Sequence, residues 1–133
     1  MHRIFVYGSL RAGFGNHRLL KDSRYIGEAV TAPQYTMLHL GGFPGVVADG
    51  QTSIVGEVYE VDHDTLRLLD RLEGHPNFYA RTPIEVARVG NTDIDLGPEA
   101  IDAEVYLLPQ QWVEDGRNPI IAGGDWKNRD EAR

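Results

Sequence analysis

The chain predicts a mixed α/β fold, α+β in layout, in which a small sheet curls toward a barrel. Three observations carry this. Six short segments rich in Val, Ile and Tyr read as strands, at 3–7, 25–32, 35–40, 54–61, 79–89 and 101–108. Only two segments carry helical signals, and only one of these is long. The 133 residues, 41 % hydrophobic and 25 % charged, are about one domain's worth and enough for a single core. One good helix among six strands argues for a sheet curled around a central helix, closer to a barrel than to a doubly wound sheet.

The first strand, Ile4-Phe5-Val6-Tyr7, stops at Gly8-Ser9 and is followed by Leu10 and Arg11. Gly-Ser reads as an ordinary turn. It reads equally as a nest, in which glycine permits positive φ and successive amides converge on an anionic oxygen. A short helix follows at Asn16–Lys21, with Asn16 as N-cap. The bases Arg11, His17, Arg18, Lys21 and Arg24 are interrupted by apolar residues and Asp22, and read as a solvated face. From Gly56 onward residues alternate cleanly, placing Glu57 and Val58 on opposite faces of a strand. The main helix runs from about His63 to Leu72. Asp62 caps it, Leu66, Leu69 and Leu72 share a face, and Gly74 stops it. Pro83 interrupts the segment 79–89 and marks an edge or a bulge. From Gly123 the chain is polar and reads as a loosely held tail, which divides it into a domain of residues 1–122 and a tail of 123–133.

Charge and composition remove several function classes. Thirteen Lys and Arg against 20 Asp and Glu give a net charge of −7, and such a chain repels phosphate backbones. Nucleic acid is therefore not an expected partner. No apolar run approaches the roughly 20 residues of a spanning helix, and residues 1–15 lack the pattern of a signal peptide. The absence of cysteine excludes a thiol nucleophile and fits a reducing cytoplasm, the expected location.

Several motifs fail on inspection. Gly13-Phe14-Gly15-Asn16-His17-Arg18 has Arg18 where a dinucleotide fingerprint needs glycine. Asn91, Asp93, Asp95 and Asp102 imitate a calcium loop, but Leu96 stands at the sharp turn. The five histidines show no metal spacing, and Ser9 lies outside any G-x-S-x-G elbow.

Glu73 resists dismissal. It closes the long helix, where the negative end of the macrodipole raises a carboxylate's proton affinity and burial adds to the effect. A general base working near neutral pH needs that tuning. A surface Glu at a helix end is the plainer alternative. Tyr7, Tyr59, Tyr79 and Tyr106 read as core or rim residues whose phenols need partners.

Taken in order, Tyr7-Gly8-Ser9-Leu10, Asn16-His17, Gly56-Glu57-Val58-Tyr59, Leu69-Asp70, Glu73-Gly74 and Tyr79-Ala80-Arg81 resemble the γ-glutamylcyclotransferase superfamily. The likeness is to its γ-glutamylamine cyclotransferases, BtrG-type deprotecting enzymes and YtfP-like, AIG2-like proteins. It spans roughly residues 1–108, and Gly124-Asp125-Trp126 with Arg129-Asp130 resembles the YtfP-like tail. The resemblance implies a small barrel with flanking helices around a cavity. It implies that Tyr7, Gly8, Ser9 and Leu10 bind substrate, that Tyr79 and Tyr106 belong to the same site, and that Glu73 is the catalytic acid–base. Ser9 keeps the hydroxyl of the Thr found in many members. Some YtfP-like chains lack the glutamate, so its presence favours a working enzyme. Gly41-Gly42-Phe43-Pro44-Gly45 resembles a loop that varies between members, on the side of the leaving amine.

The implied activity is cyclisation of a γ-glutamyl amine or related conjugate. Such a substrate carries its own nucleophile, the α-amino group, so a curled conformation makes the attack intramolecular and needs no cofactor. The alternative from another class is a non-catalytic module binding an amino-acid-like ligand in the same cavity. A hydrolase, releasing glutamate instead of 5-oxoproline, is a second rival. Neither the oligomeric state nor the leaving amine is legible from these residues.

Overall fold

The computed structural model of the chain describes residues 1–89 and 100–131. Strands β1 (His2–Val6), β2 (Arg24–Thr31), β5 (Val55–Val61), β6 (Ala80–Arg88) and β7 (Ala100–Leu107) form a closed barrel in the order β1-β5-β2-β6-β7. Every pairing is antiparallel except the closing one, where Ile4 of β1 meets Glu104 of β7 in parallel. Strands β3 (Tyr35–His39) and β4 (Pro44–Thr52) make a separate two-stranded sheet. Closure leaves the barrel without open edges, which an isolated sheet of this size would expose.

Alternation along the strands builds two cores, one on each face of the barrel wall. Phe5 and Tyr7 of the first strand's odd face join Val58, Val86, Ile101, Ala103 and Val105 in one cluster. Ile4 and Val6 join Tyr59, Val61, Leu66, Leu69, Tyr79 and Tyr106 in the other. Helix α1 (His63–Glu73) contributes Leu66 and Leu69 to this second cluster. The helix therefore flanks the barrel rather than filling its centre. This corrects the central helix expected from composition and agrees with the flanking helices that the resemblance implies. The physical reason is size: a five-stranded barrel is filled by its own side chains.

The caps of α1 are as the sequence predicts. The Asp62 carboxylate accepts from the Thr65 amide at 2.7 Å, and Gly74 closes the helix in the left-handed region at φ 67°. Leu72 departs from expectation, since it is 44 % exposed rather than packed with Leu66 and Leu69. Asn16 is no N-cap either. It lies within a 3₁₀ segment (Gly15–Leu20) whose N-cap is Phe14, and its amide group donates to Ser9 Oγ at 2.9 Å. Pro83 sits opposite Glu104 in an unbroken β6–β7 register, so there is no bulge. Pairs with β2 begin only at Val86, which leaves Pro83 on a one-sided stretch that does not need its missing N–H.

Strand β4 was not legible in the sequence. Tyr35 pairs with Thr52 but Thr36 with Val47, so the stretch from Ala48 to Gln51 bulges out of the ladder. Thr36 Oγ1 holds the bulge by donating to the Asp49 carbonyl at 2.6 Å. Asp49-Gly50 thus has the composition of a turn inside a strand.

Two further expectations, one about charge and one about the tail, are corrected here. Arg11 is not on a solvated face: it is 2 % exposed, with Nε 3.2 Å from Glu57 Oε2 and Nη1 2.7 Å from Asp125 Oδ1. The start of the tail is not loose. Val55 donates its amide to the Gly124 carbonyl, and Trp126 is 2 % exposed within the barrel core. The calcium-like residues Asn91, Asp93, Asp95 and Leu96 lie outside the described residues, while Asp102 pairs with Glu85 in the β6–β7 ladder. Among the described residues no helix is long and apolar enough to cross a membrane.

Candidate active site

A cavity of about 300 Å3 opens beside the C-terminal end of β1. Tyr7, Gly8, Ser9, Leu10, Glu73, Tyr79 and Tyr106, the seven site residues expected from the sequence, all stand on its wall. They arrive from three directions: the loop after β1, the last turn of α1 with the segment after it, and β7.

The loop is shaped by contact with β4. A Cβ on Gly8 would lie 2.7 and 2.8 Å from Cγ and Cδ of Pro44, so only glycine allows the two segments to touch. Gly8 has no positive φ, so close approach rather than left-handed backbone is what requires it. Gly8 and Leu10 are buried, yet the amides of Gly8, Ser9 and Leu10 donate to no described residue. The carbonyls beside them are used: Gly8 O accepts from the Arg11 amide at 3.0 Å and Ser9 O from the Asn16 amide at 3.1 Å. Buried amides without acceptors are rare in native proteins, and two of them with the half-buried Ser9 amide between, on a cavity wall, offer binding to an anionic or partly anionic oxygen.

The tyrosines spend their hydroxyl protons on the protein. Tyr7 donates to the Tyr106 carbonyl at 2.6 Å, Tyr79 to the Pro44 carbonyl at 2.6 Å, and Tyr106 to Asp70 Oδ1 at 2.7 Å. Burial raises all three phenols above their ordinary range, and the Glu73 carboxylate adds to the effect on each. They therefore remain neutral and serve as walls. Behind Tyr106, Arg81 grips Asp70 through two hydrogen bonds, at 2.9 and 3.1 Å, and Glu104 through a third at 2.8 Å. Burial works against the Asp70 charge, but the hydrogen bonds from Arg81 and Tyr106 outweigh it and hold its carboxyl below the usual range.

Glu73 is different. Its carboxylate accepts no hydrogen bond from the described residues, and burial pushes its pKa up to about 7. The cause is desolvation, where the sequence suggested the helix end first. A half-buried carboxylate with no donor, open to a cavity, can take and return a proton near neutral pH. Among the described residues no three His, Asp or Glu side chains gather as a metal site would.

The cavity also brings in residues that sequence reasoning did not name as site residues. Asn16 stands on its wall, as do Gly42, Phe43 and Pro44 of the loop assigned to the amine side, together with Leu72 and Phe78. Leu72 and Phe78 had one available signal, an apolar residue on each flank of the Glu73-Gly74 helix end.

Comparison with known proteins accounts for this arrangement. The sequence pattern of the family described as "Gamma-glutamyl cyclotransferase, AIG2-like" matches residues 4–128. The chain belongs to that family. It is 41 % identical over 129 residues to the gamma-glutamylcyclotransferase family protein ytfP of Citrobacter rodentium, covering 97 % of this chain and 98 % of that one. It is 38 % identical over 122 residues to gamma-glutamylaminecyclotransferase of Bos taurus, covering 83 % and 69 % of the two chains. The crystal structure of an AIG2-like protein from Mus musculus superimposes with a TM-score of 0.71 at 28 % identity, covering 85 % and 82 %. The match to residue 128 includes Asp125 and Trp126, in keeping with a tail that is packed at its start.

Proposed function

We propose that this family member cyclises γ-glutamyl conjugates, a γ-glutamyl amine being the substrate class, and releases 5-oxoproline and a free amine. The observation that carries the reading is the juxtaposition on one wall of an unpartnered, desolvated Glu73 and three unpartnered amides at Gly8, Ser9 and Leu10. The amides would receive the substrate's anionic oxygen, either its carboxylate or the oxyanion that develops on the γ-carbonyl. The curled glutamyl chain would then bring its α-nitrogen against the γ-carbon, the positioning that converts a slow attack into an intramolecular one.

In this reading Glu73 accepts a proton from the α-ammonium group. The freed amine forms a C–N bond to the γ-carbon, the carbonyl electrons move to oxygen, and the ring nitrogen, now cationic, releases its second proton to solvent. Collapse of that intermediate breaks the original amide C–N bond, and Glu73 returns its proton to the departing nitrogen. A carboxylate of pKa about 7 serves both half-steps, because neither protonation state is strongly favoured at the working pH. The three tyrosines, neutral and tied to the protein, supply a low-dielectric wall.

The test is a panel of γ-glutamyl amines and γ-glutamyl amino acids with the products identified. The account expects 5-oxoproline and the amine in equal amounts. Glutamate as the product would make the protein a hydrolase, and a ligand-dependent rise in melting temperature without any product would make it a binding module.

A further inference from the structure

The cavity has two chemically distinct ends. Gly8 and Leu10 are buried at one, whereas Phe43, Leu72 and Phe78 are 42, 44 and 39 % exposed and therefore form the mouth. Phe78 is fixed edge-on to Tyr79 at 4.9 Å and to Trp112 at 5.7 Å between ring centroids. Exposed apolar residues are ordinary when scattered, but three around one opening are not.

Charge sharpens the point. Among the described residues lining the cavity there is no Lys, Arg or His, and Glu73 is the one carboxylate. The phenol protons of Tyr7, Tyr79 and Tyr106 are committed to Tyr106 O, Pro44 O and Asp70. Toward the mouth the described lining adds the neutral backbone amides of Gly42 and Phe43; the other remaining donors are the Gly8–Leu10 amides, the Ser9 hydroxyl and the second N–H of the Asn16 side chain. They suffice for one anionic group, which the glutamyl head supplies. A leaving group with its own carboxylate would find no cation at the mouth. One with an ammonium group would face Phe43, Leu72 and Phe78, with Glu73 already engaged by the α-ammonium.

We propose that the mouth selects an uncharged apolar leaving amine, alkyl or arylalkyl, and that Phe43, Leu72 and Phe78 are the residues that set this specificity. The proposal deepens the cyclotransferase reading and rests on it for the direction in which the substrate lies.

The experiment measures both 5-oxoproline release and calorimetric binding for four compounds: γ-glutamyl benzylamide, γ-glutamyl ethylamide, γ-glutamyl-alanine and the ε-linked γ-glutamyl-lysine. The benzylamide should exceed the alanine and lysine conjugates by about tenfold or more in kcat/KM and in affinity, the usual worth of a well-matched apolar contact. Leu72→Ser and Phe78→Ser should each reduce the benzylamide-to-ethylamide ratio by about tenfold. A lysine or alanine conjugate that matches the benzylamide overturns the proposal, and so does an unchanged ratio in both folded variants. Binding in the expected order with no 5-oxoproline from any compound supports the apolar mouth and sinks the cyclotransferase reading instead.

Discussion

Glu57 and Glu73 are both glutamates withdrawn from bulk water, and their surroundings make them opposites. Glu57 is 5 % exposed, the more buried of the two, yet its oxygens are fully occupied. Arg11 Nε lies at 3.2 Å, the Ala12 amide at 2.9 Å, the Tyr59 hydroxyl at 2.8 Å and Lys127 Nζ at 3.8 Å. Glu73 faces the cavity with none of this. Burial alone does not make a carboxylate available for proton transfer. Burial without donors does, and the same chain shows the alternative in which donors turn a buried carboxylate into a joint between the loop after β1, strand β5 and the tail.

The largest expected effect comes from breaking the Glu57 side of this comparison. Arg11→Met strands a buried carboxylate and should cost about 3–5 kcal/mol in denaturant unfolding. Adding Glu57→Gln should recover a large part of that, because the more buried carboxylate is removed and only the better-exposed Asp125 is left without its arginine. If the single variant is as stable as wild type, the Arg11–Glu57–Asp125 cluster is decoration.

A smaller effect, of opposite sign, is expected at Glu73. Its folded-state pKa of about 7 lies above the 4.5 of a free glutamate. The protonated form is the one burial favours, so its contribution to stability is complete below about 4.5 and lost as pH rises through 7. Glu73→Gln cannot ionise and avoids that loss. It should be more stable than wild type by up to about 3 kcal/mol at pH 8, with the difference gone by pH 4.5. Equal stability at pH 8 would mean that the carboxylate is well solvated.

The smallest effect concerns the tail beyond its anchor. Deleting residues 127–133 keeps Asp125 and Trp126. It removes Lys127, whose ammonium is 3.8 Å from Glu57, and the Arg129 guanidinium over the Trp126 and Phe14 rings. Exposed ion pairs and cation–π contacts of this kind are worth about 1 kcal/mol together, so the fold should survive with a melting temperature a few degrees lower. Unfolding of the truncated chain would give the last seven residues a structural role that these contacts do not explain.

What the sequence revealed and what it hid follow from the range of the forces involved. Helix α1 was legible because Asp62, the Leu66/Leu69 spacing and Gly74 act within a few residues of one another. The barrel strands were legible through their Val, Ile and Tyr content, and the residues that line the cavity through the order of their short motifs. Arg11 looked solvated because its partner Asp125 is 114 residues away, and no local pattern reports such a pair. Trp126 reads as the one large apolar anchor of a polar tail, but nothing local shows that it reaches the barrel core. Leu72 looked like core because it keeps helical spacing with Leu69; the cavity beside it, assembled by the loop after β1 and by β4, leaves it at the mouth instead.

The central claim is that Glu73 carries the proton, and the most direct measurement is kcat/KM for 5-oxoproline release against pH in wild type and in Glu73→Gln. The wild-type profile should fall on the acidic side with an apparent pKa of about 7, as the carboxylate of the free enzyme protonates. The variant should lose about 10²–10⁴-fold at pH 8, still bind substrate through the untouched Gly8–Leu10 loop, and show no such limb in its residual activity. A variant within a few-fold of wild type, or one that retains the limb near pH 7, would contradict the account and leave Glu73 as the polar end of a helix.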